Sequence, residues 1–228
     1  MSAHFVELLD LLRRRSLRMA SAVEDMLNEA CEAALQLDTA LARRVIARDA
    51  EIDAQEVEIE AEVIRLMALF QPMGADMRLL TTVLKANSDL ERIADCAVNI
   101  AERARHLVPE PVGPLSGDLR GIIPIVQNIL RSALQAYAAR DADAASRVLG
   151  QDEVIDAFYG QFIRKLTAEA TRAPESMTTH LDVLSIAKNL ERVADHATNI
   201  AEDVIFLATG RIVRHGGEQS SSQLISSQ

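Results

Sequence analysis

Tryptophan is absent from this 228-residue chain, and aromatics make up only 3% of it. A chain so poor in aromatics and β-branched alternation, and rich in Ala and Leu, does not read as a sheet protein. Glycine and proline are sparse, nine and six residues, and the first 70 residues contain neither. With those breakers missing, nothing local interrupts long helices. Only two cysteines occur, Cys31 and Cys96, with no CxxC spacing. This excludes a disulfide framework and a cysteine zinc site, and it fits free thiols in a reducing compartment. No apolar run approaches 18 uncharged residues, so no membrane-spanning helix is expected. The N-terminus has acids within its apolar part and no small-residue cleavage site, so no signal peptide is read. A basic balance is lacking too. The formal net charge is −10, which argues against nucleic acid as a partner and for cations or a basic protein.

The few prolines and glycines punctuate the chain. "QPMG" stands at 71–74, "VPEPVGPLSGD" at 108–118, "RAPES" at 172–176, and a polar Gly/Ser-rich tail follows residue 209. Between them, apolar positions recur at helical spacing, as in Phe5, Leu8, Leu9 and Leu12 or Leu41, Val45 and Ile52. The joints "LDT" (37–39) and "ARDAD" (139–143) contain no glycine but are short enough for helices to turn back. The expectation is an all-α chain of six long antiparallel helices, arranged as two tandem three-helix bundles. The first bundle spans 4–107, a linker 108–117, the second bundle 118–209 with Gly117-Asp118 at the start of its first helix, and a disordered tail 210–228.

What is present twice is more informative. "LERIADCAVNIAE" (90–102) returns as "LERVADHATNIAE" (190–202), identical at ten of 13 positions with a constant offset of 100. "RDAEIDA" (48–54) likewise resembles "GQDEVIDA" (150–157). The halves read as copies of one unit. On a helix, Glu91, Asp95, Asn99 and Glu102 fall within about 80° of one another, opposite Leu90, Ile93, Ala94, Ala97, Ile100 and Ala101. Glu191, Asp195, Asn199 and Glu202 have the same phases. A second acidic i, i+4 pair precedes each copy: Asp49 with Asp53, and Asp152 with Asp156. Carboxylates at that spacing repel by roughly 0.2–0.5 kcal/mol. A salt-bridged solvated face is one reading. The other is a pair of oxygen-only sites for hard or borderline cations such as Mg, Ca, Mn or Fe, where zinc would more usually bring Cys or His. The basic run "RRRSLR" (13–18) reads as a solvated face or a docking patch. His196, which replaces Cys96 in the second copy, lies off the acidic stripe and reads as a flank or packing residue.

Enzyme readings fail on the residues. A di-iron oxidase places a Glu three residues before a His. Here Met1, Arg103, Met177, Val193 and Ile212 stand three before the five histidines. No GxSxG, P-loop or GxGxxG has a usable context.

The paired LER-x-AD-x-x-x-NIAE motifs, with "QPMGADMRLL" before the first and "EDVIFLATG" after the second, resemble those of the PhoU family of bacterial phosphate-signalling accessory proteins, over about residues 5–210. Ala94 and Ala194 stand where that family commonly has Gly, and Cys96 where His is common. The resemblance implies a cytoplasmic, non-enzymatic negative regulator of phosphate uptake and of the phosphate-starvation (Pho) response. It implies partners in the ATPase subunit of a phosphate ABC transporter and a sensor histidine kinase, contact with membrane complexes that is only peripheral, and a homodimer. It implies surface metal ions (Fe, Mg, Mn or Zn) at Asp49, Asp53, Glu91, Asp95 and Asn99 in one half and Asp152, Asp156, Glu191, Asp195 and Asn199 in the other.

Overall fold

The computed structural model describes residues 3–107, 109–214 and 217–219; the side chains of 109–116, 152–154, 156, 214 and 217–219 lie outside the description. Without Gly or Pro, α1 runs uninterrupted over Ala3–Gln36. Leu37 then takes a left-handed conformation (φ 57°), and Asp38 caps the next helix, its carboxylate accepting from the Ala40 and Leu41 amides at 2.9 Å. The second half repeats this device with Arg140 (φ 56°) and Asp141. A left-handed residue followed by an Asp cap therefore makes each glycine-free joint.

The second helix expected in each half is divided in two. α2 (Thr39–Ala47) stops at Arg48, and α3 runs over Asp49–Phe70. α6 (Ala142–Leu149) stops at Gly150, and α7 runs over Asp152–Arg172. Arg48 is drawn to α1, where its guanidinium donates to the Ala22 carbonyl at 3.2 Å and to Glu29 at 3.3 Å. The break gives α3 a new positive end, and Asp49 and Glu51 in its first turn suit that end.

α4 spans Ala75–Ala104, α5 Pro109–Ala139 and α8 Met177–Thr209, the last preceded by a 3-10 turn at Pro174–Ser176. α5 corrects the expected linker: backbone that was assigned to 108–117 is helical from Pro109, and Gly117-Asp118 lies within the helix instead of capping it. Prolines in a first turn forfeit little, because those N–H groups have no intrahelical acceptor. Gly210 (φ 76°) ends α8 by donating its N–H to Phe206 O at 2.8 Å. Beyond it, β1 (Ile212–Arg214) pairs antiparallel with β2 (Gly217–Gln219), so the expected disordered tail begins with a short ribbon; 215–216 and 220–228 lie outside the described residues.

α1, α2/α3 and α4 form one bundle, and α5, α6/α7 and α8 the other. The bundles do not stand apart. α4 and α8, which carry the duplicated motif, pack on each other more extensively than any other pair of elements, and one continuous core runs through both halves. The alanines of the motif allow this closeness: Ala94, Ala97, Ala101, Ala194, Ala197 and Ala201 are all buried. Polar contacts fix the register. Thr82 donates to Asp203 O (3.3 Å), Asp89 meets His196 Nδ1 (2.8 Å), and Arg103 pairs with Asp182 (3.5 Å). The residue numbers in the three pairs share one sum, as an antiparallel alignment requires. The repeat offset turns the Thr82–Asp203 pair into Asp182–Arg103, so the two halves are related by an approximate two-fold axis across α4 and α8. At the α1–α5 contact, Ser16 and Tyr137 share a buried 2.8 Å hydroxyl hydrogen bond.

Candidate functional site: the acidic face of α3 and α4

The helical wheel of 90–102 is reproduced by the fold. Leu90, Ile93, Ala94, Ala97, Ile100 and Ala101 are buried, whereas Glu91, Asp95 and Asn99 are half-buried and Glu102 is exposed. α3 packs beside α4 and starts with Asp49, so the two acidic pairs do come together in the first half. The Asp49 carboxyl is pushed above its ordinary value, first by loss of water and then by repulsion from Asp53, Asp95 and Glu102. Glu91 is raised by desolvation and by Asp95, Glu56 and Asp53, with Arg92 opposing. Glu56 is raised by desolvation, Glu60 and Asp53. Arg92 is the cation set against this group, at 3.4 Å from Glu91 and 3.9 Å from Asp95.

Glu56 and Glu60 were missed in the motif reading. Their signal was available: they continue the Asp49–Asp53 stripe along α3 at helical spacing.

The second half is built differently. Lys188 stands where the first copy has Ser88; it pairs with Glu191 and lies 5.2 Å from the centre of the Tyr159 ring. Asn199 donates to Asp89 at 3.2 Å, alongside His196, and so joins the α4–α8 contact. Asp195 is exposed. Asp152 and Asp156 lie in the first two turns of α7, but their side chains are outside the described residues.

The donor set of the first half is all oxygen, which matches hard cations. It does not match zinc. Cys96 is buried, its thiol pushed up to about 11 by desolvation, and His196 is engaged with Asp89. Among the described residues, no three acidic, His or Cys side chains converge as a ready-made ligand group. The acids are close enough to repel one another.

An electrostatic consequence follows. Asp49, Glu56 and Glu91 all have raised carboxyl values, so each stabilises the fold most when protonated. That contribution is lost as pH rises from below the ordinary carboxylate range through the raised values. Asp53 acts on all three, and Asp53→Asn is expected to raise Tm by about 1–2 °C in metal-free, low-salt buffer. The gain should vanish near 1 M salt, where screening acts within about 3 Å. A lower Tm for Asp53→Asn in thermal melts would sink the view that this face is uncompensated.

The PhoU domain pattern matches residues 16–104 and again 119–204. The phosphate-specific transport system accessory protein PhoU homolog of Pseudomonas putida is 38% identical over 217 residues, covering 95% of this chain and 85% of that protein. The homolog from Zymomonas mobilis is 37% identical over 213 residues, covering 91% and 87%. The crystal structure of PhoU from Pseudomonas aeruginosa superposes with a TM-score of 0.86 at 34% identity, over 90% of this chain and 99% of the other. The phosphate transport system regulatory protein PhoU from Streptococcus pneumoniae superposes with a TM-score of 0.82 at 26% identity, over 92% and 100%. The domain is matched once in each half, on either side of the two-fold axis, and the relatives are matched along nearly their whole length: the chain belongs to the PhoU family.

Proposed function

We propose that this protein is a non-enzymatic adaptor that restrains phosphate uptake and the phosphate-starvation response. It links the ATPase subunit of a phosphate ABC transporter to a sensor histidine kinase, in the cytoplasm and as a homodimer. The observation that carries this reading is the near end-to-end match to relatives described as phosphate-specific transport system accessory proteins. The geometry agrees with it. Among the described residues no helix is long and apolar enough to cross a membrane, and the conspicuous chemistry is a charged outer face. Deleting the gene is expected to raise alkaline phosphatase activity several-fold in high-phosphate medium. Unchanged activity would count against a repressive role.

The first-half face, Asp49, Asp53, Glu91, Asp95 and Asn99, takes a hard divalent cation or iron once its side chains draw together. The second-half set of Asp152, Asp156, Glu191, Asp195 and Asn199 takes less, because Lys188 already answers Glu191. Elemental analysis of purified protein tests this. Wild type should retain a metal that an Asp95→Ala/Asp195→Ala variant loses; equal, near-zero content in both removes the metal. A metal-free acidic bundle that binds basic partners is the second reading, and the mutual repulsion of Asp49, Asp53, Glu91 and Asp95 supports it, since a partner's cations would relieve it.

A further inference from the structure

α3 is apolar on two opposite faces. Ile52, Ile59, Val63 and Leu66 point into the core. On the other side, Ala50, Ala54, Val57, Ala61, Ile64 and Ala68 recur at alternating steps of four and three residues, and all six are exposed. Val57 is 61% and Ile64 54% exposed. Steps of four and three are the seam of a helix that packs along another helix. Among the described residues nothing covers the seam.

The duplicated half supplies an internal control. Aligning Asp49–Asp53 with Asp152–Asp156 brings buried Ile52, Ile59 and Val63 over buried Ile155, Phe162 and Leu166, so the inner faces correspond. The outer face of α7 then reads Ala157, Gly160, Arg164, Thr167 and Thr171, which is largely polar. An apolar outer face is therefore no requirement of the fold. α3 has one where the described residues of α7 do not.

Charge says what covers it. On the α1 side, Glu51, Glu58 and Glu62 are answered by Arg15, Arg18 and Arg65: the two α1 arginines share a groove of about 440 Å³ with Glu51 and Glu58, and Arg65 holds Glu62 through two hydrogen bonds. On the α4 side, Asp53 and Glu56 adjoin Glu91, which sits beside Asp95, and Glu60 adjoins Glu56; among the described residues Arg92 is the cation set against them. An apolar row rimmed by polar residues marks an interaction surface, and this one has a neutralised edge and an acidic edge. We propose that the outer face of α3 docks an amphipathic helix of a partner protein whose α4-side flank carries Lys or Arg. A second copy of this chain fits poorly, since pairing two α3 seams would bring two acidic edges together. The inference rests on the adaptor reading only in requiring a protein partner; it does not require that partner to serve phosphate transport.

The probe is a synthetic three-heptad helical peptide with Leu along its seam and Lys on one flank, titrated against the full chain in chelator-treated buffer by fluorescence polarisation. A twin peptide has Glu in place of Lys. The Lys peptide should bind wild type. Val57→Glu/Ile64→Glu and Glu56→Lys/Glu60→Lys should each weaken it at least tenfold, while Thr167→Glu/Thr171→Glu on α7 leaves it unchanged. Val57→Gln/Ile64→Gln gives the same readout if the acidic pair melts early. Binding by Val57→Glu/Ile64→Glu within twofold of wild type, or equal binding of the Glu twin, overturns the proposal. So does a wild-type dimer in sedimentation that this variant converts to monomers. Cells separate the two readings. A gene deletion without effect on phosphatase removes the phosphate role and leaves the peptide result standing. Full repression by Val57→Glu/Ile64→Glu where the deletion derepresses, together with peptide binding unchanged in that variant, keeps the phosphate role and overturns the docking face.

Discussion

Replacing Ile93 by Ala is expected to cost about 2–5 kcal/mol, the range for a large-to-small change in a core that cannot collapse around the gap. Ile93 is fully buried, in the middle of the duplicated motif of α4. Against a total stability of about 5–15 kcal/mol for an ordinary domain, the loss should lower Tm by roughly 5–15 °C. The location of the effect matters as much as its size. Because α4 and α8 share one core, the damage should not stay in the first half. Hydrogen exchange should speed up by similar factors in α1 and in α7, with a single melting transition. Faster exchange confined to α1–α4 would show that the halves are separate cooperative units and would overturn this account.

Lys85→Met is the second large effect, and its size should depend on pH. Asp203 is buried where α8 meets α4, and Lys85 is its ion-pair partner. Burial raises the Asp203 carboxyl above its ordinary value, while Lys85 pulls it down. Taking the lysine away leaves the burial without its answer. Lys85 is itself half exposed, so the loss should resemble that of a charged hydrogen bond, roughly 1.5–3 kcal/mol, and not that of a fully buried pair. The sign follows from the raised value. A protonated Asp203 does not need Lys85, so the deficit should be small near pH 4. It should grow as pH rises through the raised value and be full at pH 8. Urea titrations of wild type and variant at the two pH values measure it; a deficit independent of pH would mean that the lysine stem, and not its charge, matters.

Local pattern revealed much of this molecule in advance. The period of Phe5, Leu9 and Leu12 places α1, and the opposed faces of 90–102 separate core from surface; the fold keeps both. The Asp38 and Asp141 caps had a short-range signal too, because a cap acts over three residues, but those joints were read only as short and polar and the one cap expected was at Gly117-Asp118. The breaks at Arg48 and Gly150 were harder to see. Arg48 is drawn out by contacts with Ala22 and Glu29 on another helix, and no nearby residue announces them. The helix that starts at Pro109 misled for the opposite reason: composition favours a linker, but a first turn tolerates proline at Pro109 and Pro111. The acidic convergence of α3 and α4 was legible as spacing. The Lys188 that changes the second site was legible too, as a departure from Ser88 in the repeat. The Asp89–His196 and Arg103–Asp182 pairs were not, since each joins residues far apart in sequence with no periodic trace.

The approximate two-fold axis between α4 and α8 has an evolutionary consequence. A symmetric pair of identical subunits must change both copies of a contact at once, whereas a fused pair can change one. This chain has used that freedom. Asp89 and His196 meet on one side of the axis, while their counterparts on the other side are Asn189, which donates to Ser185 O of its own helix, and Cys96, a buried thiol. α3 has an apolar outer row where α7 has threonines. Lys188 quiets one acidic face and leaves its twin charged. Fusion has turned one ancestral surface into two that are free to serve different neighbours.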